Sequence, residues 1–328
     1  MKYSSNSVLH AKAKAFVEKY KSLSNQSLSL DEYNANYLKK YLKKTEYNTY
    51  LACQLLDGLD IKKFENVIDI GGGIGFNAAF FQFIGFENVI YFDVDPISTK
   101  DAKQINTALG ITQIDYYSDG YEGLIKFDLS NSLVCSRDVI EHIYDLPSFF
   151  EITKPAKLNR HNTAAVYNSY FRSSEFKAIH HRAENEGQIT KTKKQRDSKA
   201  SYLALRTEII QNLLKDKIPE DLRLAAVRTR GLTKLDIEKY LDSGVLPKHH
   251  TITLHSNTCD PITGNWAERT LPFKDYKLLA GNTQLSFKLL RYNTFNGNIL
   301  KKMTLGFLNL LLIRTKSQRL CPSFTIQY

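Results

Sequence analysis

Between Val67 and Asn77 the sequence reads VIDIGGGIGFN: an apolar run with one acid, Asp69, followed by Gly71, Gly72, Gly73 and Gly75. Missing side chains between a strand and a helix let backbone N–H groups and the helix start come close to a ligand. The dinucleotide fingerprint wants a third spaced glycine or an alanine at position 76, which holds Phe76, so nicotinamide and flavin fall behind. A carboxylate two residues before the glycines repels a pyrophosphate and suits a cation. The chemistry implied is the binding of a ligand with a positive centre and little or no phosphate. The next apolar run, VIYFD, ends in Asp93, where a carboxylate can accept both hydroxyls of a ribose. The structural alternative is that Asp93 or Asp95 caps the helix that opens at DVDPIS.

Two later stretches also carry chemistry. SNTCDPITGNWAERT, residues 256–270, holds Asn257, Asp260, Asn265, the single tryptophan Trp266, Glu268 and Arg269 in a turn-rich segment. An exposed ring beside amides and carboxylates suits a sugar, the ring stacking on C–H groups while the polar groups bind hydroxyls. A plug with Trp266 in the core is equally compatible. His180 and His181 stand in a stretch of mixed charge without apolar period, expected to line a cleft or move. His249, His250, His255 and Cys259 surround the strand-like TITL without metal-ligand spacing, and no metal is expected.

Elements must position these residues. Residues 8–56 have helical periodicity, with Tyr33, Tyr37 and Tyr41 at steps of four and Leu51 and Leu55 repeating the step. From 66 to 171, β runs alternate with helical stretches: NVIDI, a helix over 75–84, NVIYFD, a helix over 97–108, ITQIDYY, SLVCSRD, a helix over 146–157, and TAAVYNSYF. That alternation predicts a parallel sheet with helices on both faces and ligands at the carboxyl ends of its strands. Residues 172–270 break it with a mostly helical insertion, in which Gly231 and Gly244 read as a turn and a helix stop. FKDYKLLAGNTQLSFKLLRY then reads as helix and strand, and PSFTIQY as a terminal strand. The apolar run MTLGFLNLLLI, 303–313, is about half of what a bilayer crossing requires and predicts a buried helix. The expected domains are a helical lead-in over 1–60, a cofactor-binding core over 61–171, the insertion over 172–270, and completion of the sheet over 271–328.

VIDIGGGIG, VIYFDVD and LVCSRDVIEHI resemble the first, second and fourth motifs of the class I S-adenosylmethionine-dependent methyltransferases, in matching order and spacing, over residues 60–170. FKDYKLLAGNTQLSF and FTIQY are similar to the family's last helix and antiparallel strand pair. The resemblance implies a Rossmann-like α/β sheet, mostly parallel with a reversed last strand, and S-adenosylmethionine across the strand ends. Carried over, Asp69, Gly71, Gly72, Gly73 and Gly75 border the methionine part and Asp93 the ribose. Ser118 and Asp119 fall near the adenine, and Ser136 and Arg137 beneath the sulfonium. His142 follows Asp138 by one helical turn, and in a hydroxyl-methylating enzyme its neutral imidazole would take the acceptor's proton. The alternative is that Glu141 and His142 cap and pack a short helix, with His180, His181 or His255 as rival bases. A sulfonium is a good methyl donor, so alignment and exclusion of water supply much of the rate. The insertion follows the fifth strand and is expected to act as a lid, with substrate contacts from His180, His181, Asn257, Asp260 and Trp266.

The chain's 328 residues carry a net charge of +11, and residues 154–234 hold 18 Lys and Arg against 8 Asp and Glu. A basic surface this local meets phosphate, an acidic sugar or nucleic acid, or is a solvated helical face. With 42% hydrophobic and 24% charged residues, global disorder is excluded. The amino terminus has no apolar segment of a secretory signal, so a cytoplasmic protein without a membrane span is expected. Cys53, Cys135, Cys259 and Cys321 are far apart, which argues against disulfides and zinc clusters. The leading reading is methyl transfer to a small-molecule or glycan acceptor at oxygen. RNA methylation through the basic insertion is the alternative, and a retired methyltransferase fold used for binding is the second; acceptor identity and oligomeric state stay open.

Overall fold

The computed structural model describes residues 3–4, 6–187, 200–214, 222–247, 257–292 and 298–328. They fall into two compact units, one of 1–140, 147–164 and 282–328, the other of 141–146 and 165–281. TITL and His249, His250 and His255 lie outside the described residues.

The first unit opens with helices α1 (Ser7–Lys21), α2 (Glu32–Lys43) and α3 (Thr45–Leu55). Asn6 caps α1 by accepting from the N–H groups of Val8 at 2.9 Å and Leu9 at 3.1 Å, and Asp31 caps α2 through Tyr33 N–H. The tyrosines at steps of four form a ladder on α2, with ring centroids 4.8 Å apart for Tyr33–Tyr37 and 6.4 Å for Tyr37–Tyr41.

Seven strands follow: β1 (Asn66–Ile70), β2 (Asn88–Phe92), β3 (Ile114–Tyr117), β4 (Ser132–Arg137), β5 (Leu158–Thr163), β6 (Ser286–Leu289) and β7 (Phe324–Gln327). They form one sheet in the order β3-β2-β1-β4-β5-β7-β6, parallel except for β7, which runs antiparallel to both β5 and β6. This is the Rossmann-like α/β sheet of the class I methyltransferase fold. The chain builds outward from β1 to β3 and then returns to place β4 on the other side of β1, and the crevice between β1 and β4 is where such sheets take ligands. Helices α4 (Phe76–Ile84), α5 (Pro96–Ala108) and α6 (Leu146–Thr153) follow β1, β2 and β4.

Phe76, the residue that breaks the dinucleotide fingerprint, is core. Its ring meets Phe16 at 5.4 Å, Tyr20 at 4.6 Å and Tyr41 at 5.2 Å, so α1 and α2 cover α4. A small residue there would leave a cavity beneath the lead-in helices.

Three expectations fail. The fifth strand is the polar Leu158–Thr163 instead of TAAVYNSYF, and α6 stops at Thr153, two residues before Pro155. The polar strand is tolerated in the sheet because its side chains are paired. His161 Nδ1 meets Ser136 Oγ at 2.9 Å and its Nε2 meets the Tyr328 hydroxyl at 3.1 Å. Asn162 donates to Leu51 O at 3.2 Å and accepts from the Thr325 hydroxyl at 2.6 Å, and Arg160 donates to Leu55 O and Asp57 O. The third failure is MTLGFLNLLLI. It does form a helix, Ile299–Thr315, capped by Asn298, but only Leu312 within it is buried. Among the described residues no helix is long and apolar enough to cross a membrane.

The second unit contains α7 (Ser173–His181), α8 (Tyr202–Leu214), α9 (Leu222–Arg228), α10 (Lys234–Ser243) and α11 (Phe273–Leu279); Ile299–Thr315 of the first unit is α12. Ile209, Ile210, Ala226, Leu232 and Ile237 form a core. Beside it the fully buried Arg206 pairs with Glu184, which also accepts from the Thr258 hydroxyl, and Arg206 Nε donates to Ala226 O at 2.9 Å. A buried pair needs such additional hydrogen bonds to offset its desolvation.

Candidate active site

β1 delivers Asp69 and β2 delivers Asp93 to the two sides of the glycine turn. Gly71, Gly73 and Gly75 all have positive φ, 64°, 53° and 76°. Gly72 N–H donates to Phe92 O at 3.0 Å, Gly73 N–H to Asp93 Oδ2 at 2.9 Å, and the Tyr91 hydroxyl to Gly73 O at 2.6 Å, so the turn is tied to the end of β2. A Cβ on Gly71 would meet Val139 at 2.4 Å, and one on Gly72 would meet the Tyr91 ring at 2.3 Å. These two glycines serve packing. A Cβ on Gly73 would meet nothing within 4 Å, so this glycine faces open space and is where a ligand can approach the backbone.

Asp69 is fully buried. Its Oδ1 accepts from Asn77 Nδ2 at 3.3 Å, while Oδ2 has no hydrogen-bond partner among the described residues. Burial pushes its carboxyl up to about 7, against the pull of Asn77 and Arg137. A buried carboxylate oxygen with no partner beside an open glycine turn fits the positive end of a ligand and disfavours a phosphate. Asp93 also accepts from Asp95 N–H at 2.9 Å. Asp95 is the cap of α5, accepting from Ile97 N–H and the Ser98 hydroxyl, so the two acids divide anchoring and capping between them. Asp119 lies exposed two residues beyond β3, accepting from Gly120 N–H and pairing with Lys126 at 3.4 Å. Ser118 is exposed beside it.

The Ser136 side chain is fully buried and bonded to His161, so its hydroxyl faces the sheet interior and leaves only backbone to a cofactor. Arg137 reaches α2, donating to the Tyr41 hydroxyl with its guanidinium 5.1 Å from that ring and 5.7 Å from Phe76. It lines a cavity of about 290 Å³ at the carboxyl ends of β4 and β5, with Tyr37, Tyr41, Lys44, Asp138 and Asn162. Sequence reasoning missed the α2 and α3 contribution. The tyrosine repeat was the available signal, but it reads as packing until the helix is placed over the strand ends.

The remaining expected residues lie in the second unit. Trp266 N–H donates to His142 O at 3.3 Å and Arg269 N–H to Glu141 O at 3.1 Å, pinning the segment after β4 to residues 266–269. His142 Nδ1 lies 2.8 Å from Trp266 O, a contact that requires the proton on Nδ1, so that in the neutral ring Nε2 is the acceptor. Nε2 is 3.9 Å from Glu268 Oε1. Ligand atoms of Glu141, His142 and Glu268 lie within 4.8 Å of one another, close enough to hold a cation.

The substrate-contact expectations change. Trp266 is 1% exposed, stacked on Tyr144 at 6.0 Å with the Arg269 guanidinium 4.6 Å from its ring, so its faces are covered and cannot stack on a sugar. Asn257 is buried and bonded to both Thr270 N–H and Thr270 O, and buried Asp260 accepts from Ile262 and Thr263 N–H as a turn cap. The segment is a plug. His180 is buried, and desolvation with the Arg230 charge lowers its pKa to about 4; its neighbour His181 is exposed and 3.2 Å from Glu186. Adjacent helical positions point to different sides, so the pair does not act together.

No family model matches the chain. Over 106 residues it is 27% identical to Ribosomal RNA small subunit methyltransferase G of Campylobacter jejuni subsp. doylei, a match that covers 31% of this chain and 56% of the relative. The chain thus spans little more than half the length of the curated relatives it matches. Among solved structures, the YcgJ protein of Bacillus subtilis is similar at 18% identity and a TM-score of 0.32, covering 38% of this chain and 56% of that one. A SAM dependent methyltransferase from Aquifex aeolicus is similar at 17% identity and a TM-score of 0.28, covering 33% and 61%.

Proposed function

From a chain with the class I S-adenosylmethionine-dependent methyltransferase fold, we propose an enzyme that moves a methyl group from S-adenosylmethionine to oxygen on a small hydrophilic or glycan acceptor. The observation that carries the reading is the Asp69 carboxylate, buried with one oxygen unpaired against Gly72, in the turn whose next residue, Gly73, opens to free space. When bound, the cofactor supplies a methyl group already activated on a sulfonium. Asp69 and the Gly71–Gly75 backbone would hold its cationic methionine end. Asp93, anchored by Gly73 N–H, would take the ribose, and exposed Asp119 the adenine side. Arg137 and Lys44 present positive charge beside the tyrosine rings of the strand-end cavity, which suits a hydrophilic or anionic acceptor group. His142, with Nδ1 held by a carbonyl, offers Nε2 to take the acceptor's proton.

RNA is the second reading. It is favoured by the printed name of the Campylobacter relatives and by the cations of residues 154–234. One experiment tests both: incubate the protein with methyl-labelled S-adenosylmethionine and cell extract divided into nucleic-acid, glycan and small-metabolite fractions. Label in the glycan or metabolite fraction is expected. Label confined to RNA transfers the function to the second reading, and no calorimetric binding of S-adenosylmethionine removes both in favour of a retired fold.

A further inference from the structure

One side of α12 is spent on the fold. Leu312 is buried there, and the Asn309 side chain holds the Tyr292 main chain, accepting from its N–H at 2.7 Å and donating to its carbonyl at 3.0 Å. At 3.6 residues per turn, Ile299, Leu300, Met303, Phe307, Leu310 and Ile313 fall on the other side, within an arc of roughly 140°. All six are exposed, from 48% at Ile313 to 78% at Ile299. A helix facing water ordinarily carries charge on that arc. Here the charge sits near the ends: Lys301 and Lys302 in the first turn, and Arg314, Lys316 and Arg319 at and beyond the last, all exposed. From Tyr276 to Tyr328 the sequence has eight Lys and Arg and no Asp or Glu.

We propose that α12 docks this protein on the surface of an anionic lipid bilayer, lying in the plane of the interface. Its 17 residues reach about 26 Å, short of the roughly 30 Å hydrocarbon thickness, so it lies on the membrane and does not cross it. The six apolar side chains enter the acyl boundary while the flanking cations meet lipid phosphates. Charge argues against the other occupants. A second copy would bring an equally cationic, acid-free segment against this one. A nucleic acid would satisfy the cations and leave six large apolar side chains facing a charged backbone.

The test is flotation of the full chain with phosphatidylglycerol-containing vesicles and with pure phosphatidylcholine vesicles, without cofactor, so that it is independent of the methyl-transfer reading. Binding to the anionic vesicles, weakened by salt and absent from the neutral ones, is expected. Phe307→Glu with Leu310→Glu should cut the partition coefficient by about tenfold or more, with an unchanged circular dichroism spectrum because both side chains are exposed. Lys301→Glu with Lys302→Glu should also weaken binding to the anionic vesicles. Absence of flotation at low salt overturns the proposal, as does a Glu variant that floats like the parent. A lipid-free dimer that the Phe307/Leu310 variant abolishes would assign the face to a second copy, and RNA binding lost in that variant would assign it to nucleic acid; each result overturns the membrane assignment.

Discussion

If Asp69 holds the cationic end of the cofactor, a carboxyl pushed up to about 7 by burial makes cofactor binding depend on pH. Asp69 is raised from an ordinary 3.8 to about 7, chiefly by burial. Between about pH 4 and 7 the folded chain therefore holds a proton that the unfolded chain has lost. The stability this contributes is complete below about pH 4 and is lost as pH rises through 7. Binding of a cation at Asp69 would run the other way, because it would need the carboxylate. Calorimetric affinity for S-adenosylmethionine should rise as pH passes upward through 7, and Asp69→Asn should bind weakly with a flat profile; a parental profile in the variant would place the cationic end elsewhere. Asp93→Ala should cost about 1 to 3 kcal/mol of cofactor affinity through lost charged hydrogen bonds, again read by calorimetry. The conformation of this turn was legible because closely spaced glycines between a strand and a helix have few explanations. Trp266, Asn257 and Asp260 were not, since a turn-rich polar loop and a plug with satisfied polar groups have the same composition. Only the burial of Trp266 and the Asn257–Thr270 bonds separate them.

At the scale of elements, periodicity located β1, β2, β4 and the helices between them because those strands are apolar and buried on both faces. It missed β5 because LNRHNT looks like a loop until its partners arrive from distant parts of the chain: Ser136, Tyr328, Thr325 and Leu51. The strand's stability should therefore depend on those polar pairs. Asn162→Ala leaves the buried Leu51 carbonyl and Thr325 hydroxyl without their partner and should cost about 1 to 3 kcal/mol, seen as a lower urea midpoint with an unchanged slope. His161 adds a pH signature. Burial depresses its pKa from 6.5 to about 3, so the unfolded chain binds a proton that the folded chain refuses. Stability is present above about 6.5 and is lost as pH falls toward 3. Replacing His161 with Gln should flatten the acid limb of the stability curve. The helix α12 was legible as a helix but not as an exposed one, because its apolar residues surround the whole circumference and periodicity gives no direction to bury.

Across the whole molecule, the charge is better resolved than its use. Residues 154–234 are basic, but several of their cations, among them Lys191, Lys193, Lys194 and Arg196, lie outside the described residues, and others are already committed. Arg160 donates to main-chain carbonyls, Arg172 pairs with Glu175 and Arg206 with Glu184. A nucleic-acid surface needs cations free to displace counterions, and every phosphate contact adds to the salt dependence of binding. If the acceptor is a small molecule or glycan, RNA should associate with this protein only through residual cations. Binding measured by filter retention would then be weak at low salt, insensitive to sequence and largely gone near physiological ionic strength, with no label entering the RNA at any salt concentration. Retention at physiological salt accompanied by methyl label in the RNA would make the cations of 154–234 an acceptor surface, and the strand-end cavity of Arg137 and Lys44 would then have to receive a nucleotide.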